Sequence, residues 1–526
     1  MNNFSSLLND LLLTSSTKKK VKLTLEYFKK SSLEDKAWAL KIFLNSFEKK
    51  FLSSKDLKEM ISNRVGDVLF KYSYDYVGDL AETISLLWKC KEEGNKSNLK
   101  LNEFMKLISE CNDKEKLKKQ IECILDKSSE SQRYCILKIL TGGLRIGVSY
   151  GVIKESLLIY GTRTSNEIEE YFHGFKYSYK DFFEWLDGKE LPKYIDKKQL
   201  FNSFMLANNF KYEEFIKSNS KKFTAEFKWD GIRAQIIFSK NGKIFSRSGE
   251  DITHSFPDIN ISDVDYSVID GELVVKNGED ILSFNNLQRR IGRKRISKKL
   301  LNDFPIHFIA YDILFFNDLD CRSLPFLKRR SYLNSFIRQK KVSNISLSKF
   351  INFSSWDHLK NIKENSLNNH VEGVVVKNKD SIYQKGRVLN GWYKWKRNPY
   401  SFDFIIMYAQ RGHGKRSSFY SDFTFGCWVD NKYKKLVPVG KAYSGYTNEE
   451  LKKLDLWVRN NTSERFGPVR SIRPGLVVEI SFDNINLSSR HKSGVALRFP
   501  RFSRTRWDKP ISDISILEDL KNLINS

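Results

Sequence analysis

The sequence predicts a protein of several domains: an all-α N-terminal domain, an α+β middle domain and a C-terminal β-barrel domain. Apolar residues recur every three or four positions up to about residue 200, and strands alternate with helices from about residue 210. Short strands follow from about residue 402. A chain of 526 residues also exceeds what one hydrophobic core supports. We expect the domains at residues 1–207, 208–400 and 401–526.

The formal net charge of +27 predicts a polyanionic partner such as nucleic acid, although an AT-rich genome would also enrich lysine. The six cysteines form no Cys-x-x-Cys pair, which argues against a zinc module and a disulfide framework. No signal-peptide pattern and no apolar run of membrane-spanning length is visible. We expect a soluble protein of the reducing cytoplasm, with no membrane partner.

The N-terminal region is predicted helical from segments such as Leu33–Phe47 and Ser54–Phe70, which carry apolar residues at helical spacing. Further along, between two other predicted helices, lies the glycine-rich loop Thr141–Ser149, which contains Arg145. Exposed N–H groups of such a loop, together with an arginine, suit a nucleic-acid phosphate. A plain helix-capping turn explains the local sequence equally well.

The middle region begins with residues 222–228, where apolar and polar residues alternate as in a half-buried strand. Lys228 ends this strand, and the carboxylates of Glu226 and Asp230 stand two residues away on either side. A lysine held against an electrophile is a nucleophile once its amine is deprotonated. A salt-bridged surface lysine in a hairpin is the alternative interpretation.

Further strands of the middle region carry paired charges. Asp270 and Glu272 are two apart and face the same way, so a cation or donor must separate them, which suits a metal or a sugar hydroxyl. Glu372 lies inside a β-branched run and needs a cationic partner. Lys394 and Lys396 share a strand face and repel each other unless an anion such as phosphate lies between them.

The C-terminal region shows five short strands and one helix, Asn448–Val458, with a capping box from Thr447 to Glu450. This pattern predicts a small closed barrel of the OB type, a fold that commonly binds nucleic acid. The loop at residues 410–416 is basic, and its cations are candidates for DNA contact: Arg411, Lys415 and Arg416.

The order of short motifs is more specific than any one of them. The series is Lys228–Gly231, Arg247–Gly249, Asp270–Glu272, Tyr311–Asp312, Glu372–Lys377, Trp392–Lys396, Arg498–Phe502 and Arg506–Lys509. With Tyr74–Thr83 and the loop at Thr141, it resembles the ATP-dependent DNA ligases of the nucleotidyltransferase superfamily. This combination looks like a bacterial branch of these ligases with an N-terminal helical DNA-binding domain.

The resemblance implies a three-step reaction with ATP and Mg²⁺, or Mn²⁺ in its place. Lys228 would attack the α-phosphate of ATP to give lysyl-AMP, AMP would move to the 5′-phosphate of a nick, and the 3′-hydroxyl would then displace AMP. The expected partner is nicked duplex DNA, around which a monomer closes. A bacterial, nucleoid-associated enzyme of DNA repair, recombination or replication is expected.

The resemblance also implies residue roles. Glu226 would contact adenine, Tyr311 would stack on it where phenylalanine is common, and Glu272 would reach the ribose. Nearby positive charge and burial are expected to lower the pKa of Lys228. The remaining roles are catalysis by Lys228, Asp230, Lys394 and Lys396; metal binding by Glu272 and Glu372; sugar or phosphate contacts by Arg233, Arg247 and Arg387; and pyrophosphate orientation by Asp508 and Lys509.

Three alternatives are weaker. RNA ligases and capping guanylyltransferases share the core but usually lack an N-terminal helical domain of this size. An NAD-dependent DNA ligase would carry a four-cysteine zinc module. A non-catalytic nucleic-acid-binding relative would have lost Lys228 or the carboxylates, and all of these are present.

Overall fold

The structure is a computed structural model of the 526-residue chain. It describes residues 1–47, 51–88, 99–142, 144, 146–291, 293, 296–366, 370–412, 418–430, 435–488 and 491–525. The described chain forms two compact units. One comprises Met1–Ser165, Phe175–Pro192 and Pro399–Ser526, and the other comprises Asn166–Gly174 and Lys193–Asn398.

The N-terminal region is helical, as predicted. Its helices are α1 (Asn2–Leu13), α2 (Thr17–Lys30), α3 (Leu33–Phe43), α4 (Ser54–Val65), α5 (Asp67–Val77), α6 (Leu80–Leu87), α7 (Leu101–Glu110), α8 (Lys114–Asp126), α9 (Glu130–Thr141), α10 (Tyr150–Tyr160), α11 (Ser165–Tyr171) and α12 (Tyr179–Leu186). The predicted segment Ser54–Phe70 is two helices, because Gly66 adopts φ 85° between α4 and α5. A capping box at Ser53 begins α4.

The second unit is built on two main sheets and one small two-stranded sheet. Its strands are β1 (Met205–Leu206), β2 (Asn208–Asn209), β3 (Phe223–Trp229), β4 (Ile232–Phe238), β5 (Lys243–Ser246), β6 (Ser267–Asn277), β7 (Asp280–Ile281), β8 (Ile306–Phe316), β9 (Leu319–Asp320), β10 (Ile345–Leu347), β11 (Phe350–Ile351), β12 (Val371–Asn378), β13 (Gly386–Arg387) and β14 (Trp392–Lys396). Its helices are α13 (Tyr212–Phe215), α14 (Phe284–Gln288), α15 (Lys298–Asp303), α16 (Phe326–Lys340) and α17 (Trp356–Asn365).

The two sheets meet at the predicted nucleophile. One sheet has the order β10-β8-β6-β4-β5 and the other the order β11-β3-β12-β14-β2. The chain crosses from one sheet to the other through Asp230 and Gly231, directly after Lys228. A Cβ on Gly231 would lie 2.3 Å from the carbonyl oxygen of Leu273, so only glycine allows this close crossing.

The C-terminal region is all-β apart from two helices, which confirms the predicted fold class. It contains β15 (Tyr400–Arg411), β16 (Tyr420–Trp428), β17 (Leu436–Ala442), β18 (Thr462–Phe466), β19 (Val469–Ile472), β20 (Val477–Phe482), β21 (Asn484–Leu487), β22 (Val495–Arg498) and β23 (Arg501–Arg506), with α18 (Asn448–Asn461) and α19 (Leu517–Asn525). The long strand β15 pairs with β16, β19 and β20, so the sheet curls around its core. The predicted capping box at Thr447 is present. Within the described ranges, no helix has the length and apolarity to span a bilayer.

Candidate active site

Three neighbouring strands place two lysines on one carboxylate. Lys228 of β3 and Lys396 of β14 both pair with Gly373 of the central strand β12. The Nζ of Lys228 lies 2.8 Å from Oε2 of Glu372, and the Nζ of Lys396 lies 3.1 Å from the same oxygen. The predicted need of Glu372 for a cationic partner is confirmed, and two cations meet it.

A bulge in β12 explains why Glu372 faces these lysines. Side chains alternate along a regular strand, so Glu372 would face away from Gly373 and from the lysines that pair with Gly373. The register shifts between Val371 and Gly373, and Gly373 has φ 143°. A Cβ on Gly373 would lie 2.1 Å from the carbonyl oxygen of Trp395. The bulge therefore requires glycine, and it re-aims the carboxylate beside it.

The charges around Lys228 correct one prediction. Burial lowers the pKa of Lys228, but the carboxylates of Glu372, Glu272 and Asp230 outweigh burial and raise it above its ordinary value. The expectation of a lowered pKa was wrong, because carboxylates rather than cations dominate the surroundings of the amine. Burial opposes the ionisation of Glu372, yet Lys228 and Lys396 hold its pKa at about 2. This arrangement keeps Lys228 protonated.

An arginine pairs with one of the two carboxylates of β6. Arg233 donates to both oxygens of Asp270, at 3.1 and 2.7 Å, and the hydroxyl of Tyr383 donates to Asp270 at 2.7 Å. Burial raises the pKa of Glu272 to about 7, although Lys228 and Arg233 oppose this rise. The sequence identified the need for a cation here but not its source.

A cluster of cations lies beside the Lys228 pair. Burial lowers the pKa of Lys394, and the nearby charges of Arg387, Lys396, Arg247 and Lys228 lower it further. Arg247 follows β5 in a turn and Arg387 lies in β13, and both are exposed. Converging cations on a partly buried surface suit the several oxygens of a polyphosphate. The anion expected between Lys394 and Lys396 stays a prediction, and in this structure Lys396 pairs with Glu372.

The predicted base-binding residues surround a lysine. The buried carboxylate of Glu226 accepts a hydrogen bond from Lys377 at 3.0 Å and lies 3.8 Å from Arg330. The Tyr311 ring meets Trp392 edge-on, with ring centroids 6.0 Å apart. Lys377 closes the motif that begins at Glu372, but its partner was not predicted. Arg330 lies on α16, where the sequence gave no signal beyond paired arginines.

Other predicted site residues lie in the first unit. Arg506 donates to the carboxylate of Asp508 at 2.9 Å, and Lys509 donates to Asp403 at 2.6 Å. These contacts hold the C-terminal motif together but do not test its proposed role.

The predicted DNA contacts are only partly described. Arg411 ends β15 and donates from Nη1 to the carbonyl oxygen of Tyr76 at 2.8 Å. Arg145, Lys415 and Arg416 lie outside the described residues. The role of all four residues in DNA binding stays a prediction.

The donor set fits a magnesium ion only if a ligand completes the site. Across the described ranges, no group of three or more His, Cys, Asp or Glu residues could hold a metal. Two carboxylates, those of Glu372 and Glu272, act together on Lys228. Mg²⁺ commonly takes one or two carboxylates and fills its shell with substrate phosphates and water. These residues therefore fit such an ion beside a bound polyphosphate.

A lysine paired with a carboxylate beside clustered cations, on two sheets followed by an all-β region, is the arrangement expected of a nucleotidyltransferase. Three family models match the chain: "DNA ligase N terminus" at residues 1–157, "ATP dependent DNA ligase domain" at 204–396 and "ATP dependent DNA ligase C terminal region" at 416–509. The chain belongs to the ATP-dependent DNA ligase family.

Curated relatives agree with this assignment, and a solved structure shares the fold. The chain is 33% identical over 232 residues to a DNA ligase of Methanococcus aeolicus, covering 44% of this chain and 41% of that protein. It is 29% identical over 266 residues to a probable DNA ligase of Koribacter versatilis, covering 47% and 46%. The matched stretch thus spans less than half of either relative. A solved structure described as "Pmar-Lig_Pre." shares the fold, with a TM-score of 0.59, 16% identity and coverage of 96% of this chain and 99% of that one.

Proposed function

We propose that this protein is an ATP-dependent DNA ligase that seals nicks in duplex DNA through a covalent Lys228–AMP intermediate. The contact that carries the proposal is the 2.8 Å pair between Lys228 and Glu372. This contact holds the amine of Lys228 near Arg387, Lys396 and Arg247, the cations whose charges lower the pKa of Lys394. Family membership supports ATP as the nucleotide and DNA as the substrate.

In the first step, the Nζ of Lys228 forms a bond to the α-phosphorus, and the bond from that phosphorus to pyrophosphate breaks. Charge grows on the phosphate oxygens, and Lys394, Lys396, Arg247 and Arg387 offset it. Lys228 must first lose its proton, which requires that the charge of Glu372 be neutralised. A Mg²⁺ ion, or Mn²⁺ in its place, held by Glu372 and Glu272 would supply that positive charge.

The later steps use the same surface. AMP passes from Lys228 to the 5′-phosphate of the nick, and the attack of the 3′-hydroxyl forms the phosphodiester bond and releases AMP. Glu226 and Tyr311 are assigned to the base, and Glu272 to the ribose. Further assignments are a sugar or phosphate contact for Arg233, orientation of Lys228 by Asp230, pyrophosphate orientation by Asp508 and Lys509, and DNA contacts by Arg145, Arg411, Lys415 and Arg416.

We further propose domain boundaries near residues 207 and 400, and a monomer that closes around nicked DNA. Its place would be the bacterial nucleoid, in DNA repair and recombination or in replication. The charge of +27 supports an enzyme that associates with DNA along its length.

The decisive experiment is enzyme adenylylation with α-labelled ATP and Mg²⁺. Wild type and Lys240→Ala, a change of an exposed lysine in the β4–β5 turn, should acquire label, whereas Lys228→Ala should acquire none. GTP and NAD should not label the wild type. Undiminished labelling of Lys228→Ala would show that Lys228 is not the residue that carries AMP.

Nick sealing distinguishes a DNA ligase from an RNA ligase. Nicked duplex DNA should be sealed faster than the same nick in an all-RNA duplex. Equal or faster sealing of the RNA nick would favour the RNA ligase alternative.

A further inference from the structure

A buried lysine contacts both residues assigned to the base. Lys377 is 1% exposed, and its Nζ donates to Oε1 of Glu226 at 3.0 Å and to the carbonyl oxygen of Tyr311 at 3.3 Å. The same Nζ lies 4.6 Å from the centre of the Tyr311 ring and 4.4 Å from that of Trp392. Lys377 thus contacts the main chain and ring of one residue and the carboxylate of the other.

A second cation approaches the same carboxylate oxygen. Nη1 of Arg330 lies 3.8 Å from Oε1 of Glu226, and Nη2 of Arg330 donates to the carbonyl oxygen of Ser348. Since both cations meet Oε1, Oε2 remains the oxygen that can meet a ligand. A carboxylate fixed in this way accepts hydrogen bonds and cannot donate one.

Holding these cations away from water is costly. Burial lowers the pKa of Lys377 against the attraction of the Glu226 and Asp312 carboxylates. Burial likewise lowers the pKa of Arg330. A buried charged network is weak evidence for stability, because apolar residues of similar volume often stabilise a core as well. A role in ligand recognition accounts better for its presence beside the base-binding groups.

We propose that Lys377, supported by Arg330, is the positioning residue that makes this site specific for adenine. It fixes Glu226 as a hydrogen-bond acceptor and holds Tyr311 in place for stacking. The inference rests on the proposed function and deepens it, because it names the residues that set nucleotide choice.

The chemistry of the bases gives the direction of the selection. Adenine carries an amino group at C6, which donates to a fixed acceptor. Hypoxanthine carries a carbonyl oxygen at C6, which would face the carboxylate acceptor to acceptor. A site built for one hydrogen bond rejects the analogue that leaves its buried group unpaired. Without Lys377, the Glu226 side chain can move away from the base, and the selection weakens.

The experiment compares ATP with inosine triphosphate as donors in the adenylylation assay. Wild type and the control Lys379→Met, in which the lost lysine donates to the Lys221 carbonyl instead, should keep a strong preference for ATP. In Lys377→Met, the ratio of kcat/KM for the two nucleotides should fall at least about tenfold, the size of one hydrogen bond to a charged group. The fall should come mainly from a higher KM for ATP, and Lys377→Arg should restore part of the ratio.

Two outcomes separate this inference from the proposed function. If wild type forms no adduct with ATP, the proposed function and the inference fail together. If wild type forms the adduct and Lys377→Met keeps the wild-type ratio, only the inference fails. Should Lys377→Met not fold, Arg330→Gln tests the same carboxylate, and an unchanged ratio there overturns the inference.

Discussion

At the scale of single residues, the pair of Lys228 and Glu372 sets the chemistry of the site. The 2.8 Å contact holds an ammonium beside a carboxylate whose pKa is about 2. Such a pair stabilises the protonated amine, so the proposed nucleophile is held in its unreactive form.

Replacing Glu372 by Gln should lower the pKa of Lys228, because the largest carboxylate contribution to that pKa is lost. Reductive methylation of Lys228, followed by mass spectrometry across a pH series, measures this shift. The labelling of exposed Lys240 in the same digest is the control. Adenylylation should nevertheless fall in the variant, since a proposed metal ligand is lost. An unshifted labelling profile for Lys228 would contradict the conclusion that the charge of Glu372 raises the pKa of Lys228.

His307 makes stability depend on pH. Burial, with the charge of Lys276, lowers its pKa to about 4, whereas the unfolded chain protonates near the ordinary value of 6.5. Between these values the unfolded state binds more protons, so stability falls as the pH falls from about 6.5 to 4. His307→Gln should weaken this dependence in urea unfolding at pH 7 and pH 5. If the stability of the variant and of wild type depends equally on pH, His307 is not the cause of the dependence.

At the scale of elements, the bulge in β12 determines where Glu372 lies in the candidate active site. Lys228, Gly373 and Lys396 form one row across three strands, and the bulge brings Glu372 into that row. The sequence predicted each strand and the charges on it. It could not predict the bulge, because a register shift depends on the pairing of β12 with β3 and not on residues in β12 alone.

Gly373→Ala should displace Glu372. Strain at φ 143° and the contact with the Trp395 carbonyl should cost roughly 1–3 kcal/mol of stability. Adenylylation should fall further than stability alone explains. Gly278→Ala, at φ 60° with nothing within 4 Å of its Cβ, is the matched control for backbone strain. A variant that adenylylates like this control would show that Glu372 is placed by other contacts.

The short segment 166–174 also acts as an element of the second unit. Glu169 pairs with Lys385, two residues before Arg387. The His173 ring lies against Gly249, two residues after Arg247, within 2.5 Å of where a Cβ would be. The segment therefore supports both the turn that carries Arg247 and the strand that carries Arg387.

Reversing the charge of Glu169 should raise the KM for ATP several-fold, because the Arg387 strand loses its ion pair. Glu169→Lys combined with Lys385→Glu restores the pair with opposite sign and should recover most of the affinity. The measurement is the ATP dependence of adenylylation. Failure of the double variant to recover would assign the effect to misfolding of the segment.

At the scale of the whole molecule, the order of the short motifs was the most informative feature of the sequence. Eight motifs in sequence order indicated the family and placed Lys228, Glu372 and the paired lysines each on a strand, whereas the structure shows that these strands are neighbours in one sheet. The sign of the pKa shift at Lys228 was missed, because it depends on which charges fold closest. Arg330 was missed because it reaches Glu226 from a helix about a hundred residues away in sequence.

The excess of positive charge should make nick binding salt-sensitive. Each phosphate contact releases counterions, so affinity for a nicked duplex should fall at least about tenfold between about 50 and about 200 mM salt. Fluorescence anisotropy with a labelled nick measures this, and an intact duplex is the comparison. An affinity that does not change with salt would show that the net charge of +27 does not contribute to DNA binding.

The contact between Lys228 and Glu372 also bears on chemical self-protection. Free amines in cells react with acyl donors and sugars, and a nucleophilic lysine with a depressed pKa would be modified first. An ammonium fixed by Glu372 has no lone pair to offer such reagents. The carboxylate of Glu372, which the proposed reaction must neutralise first, thus also preserves the proposed nucleophile against accidental modification.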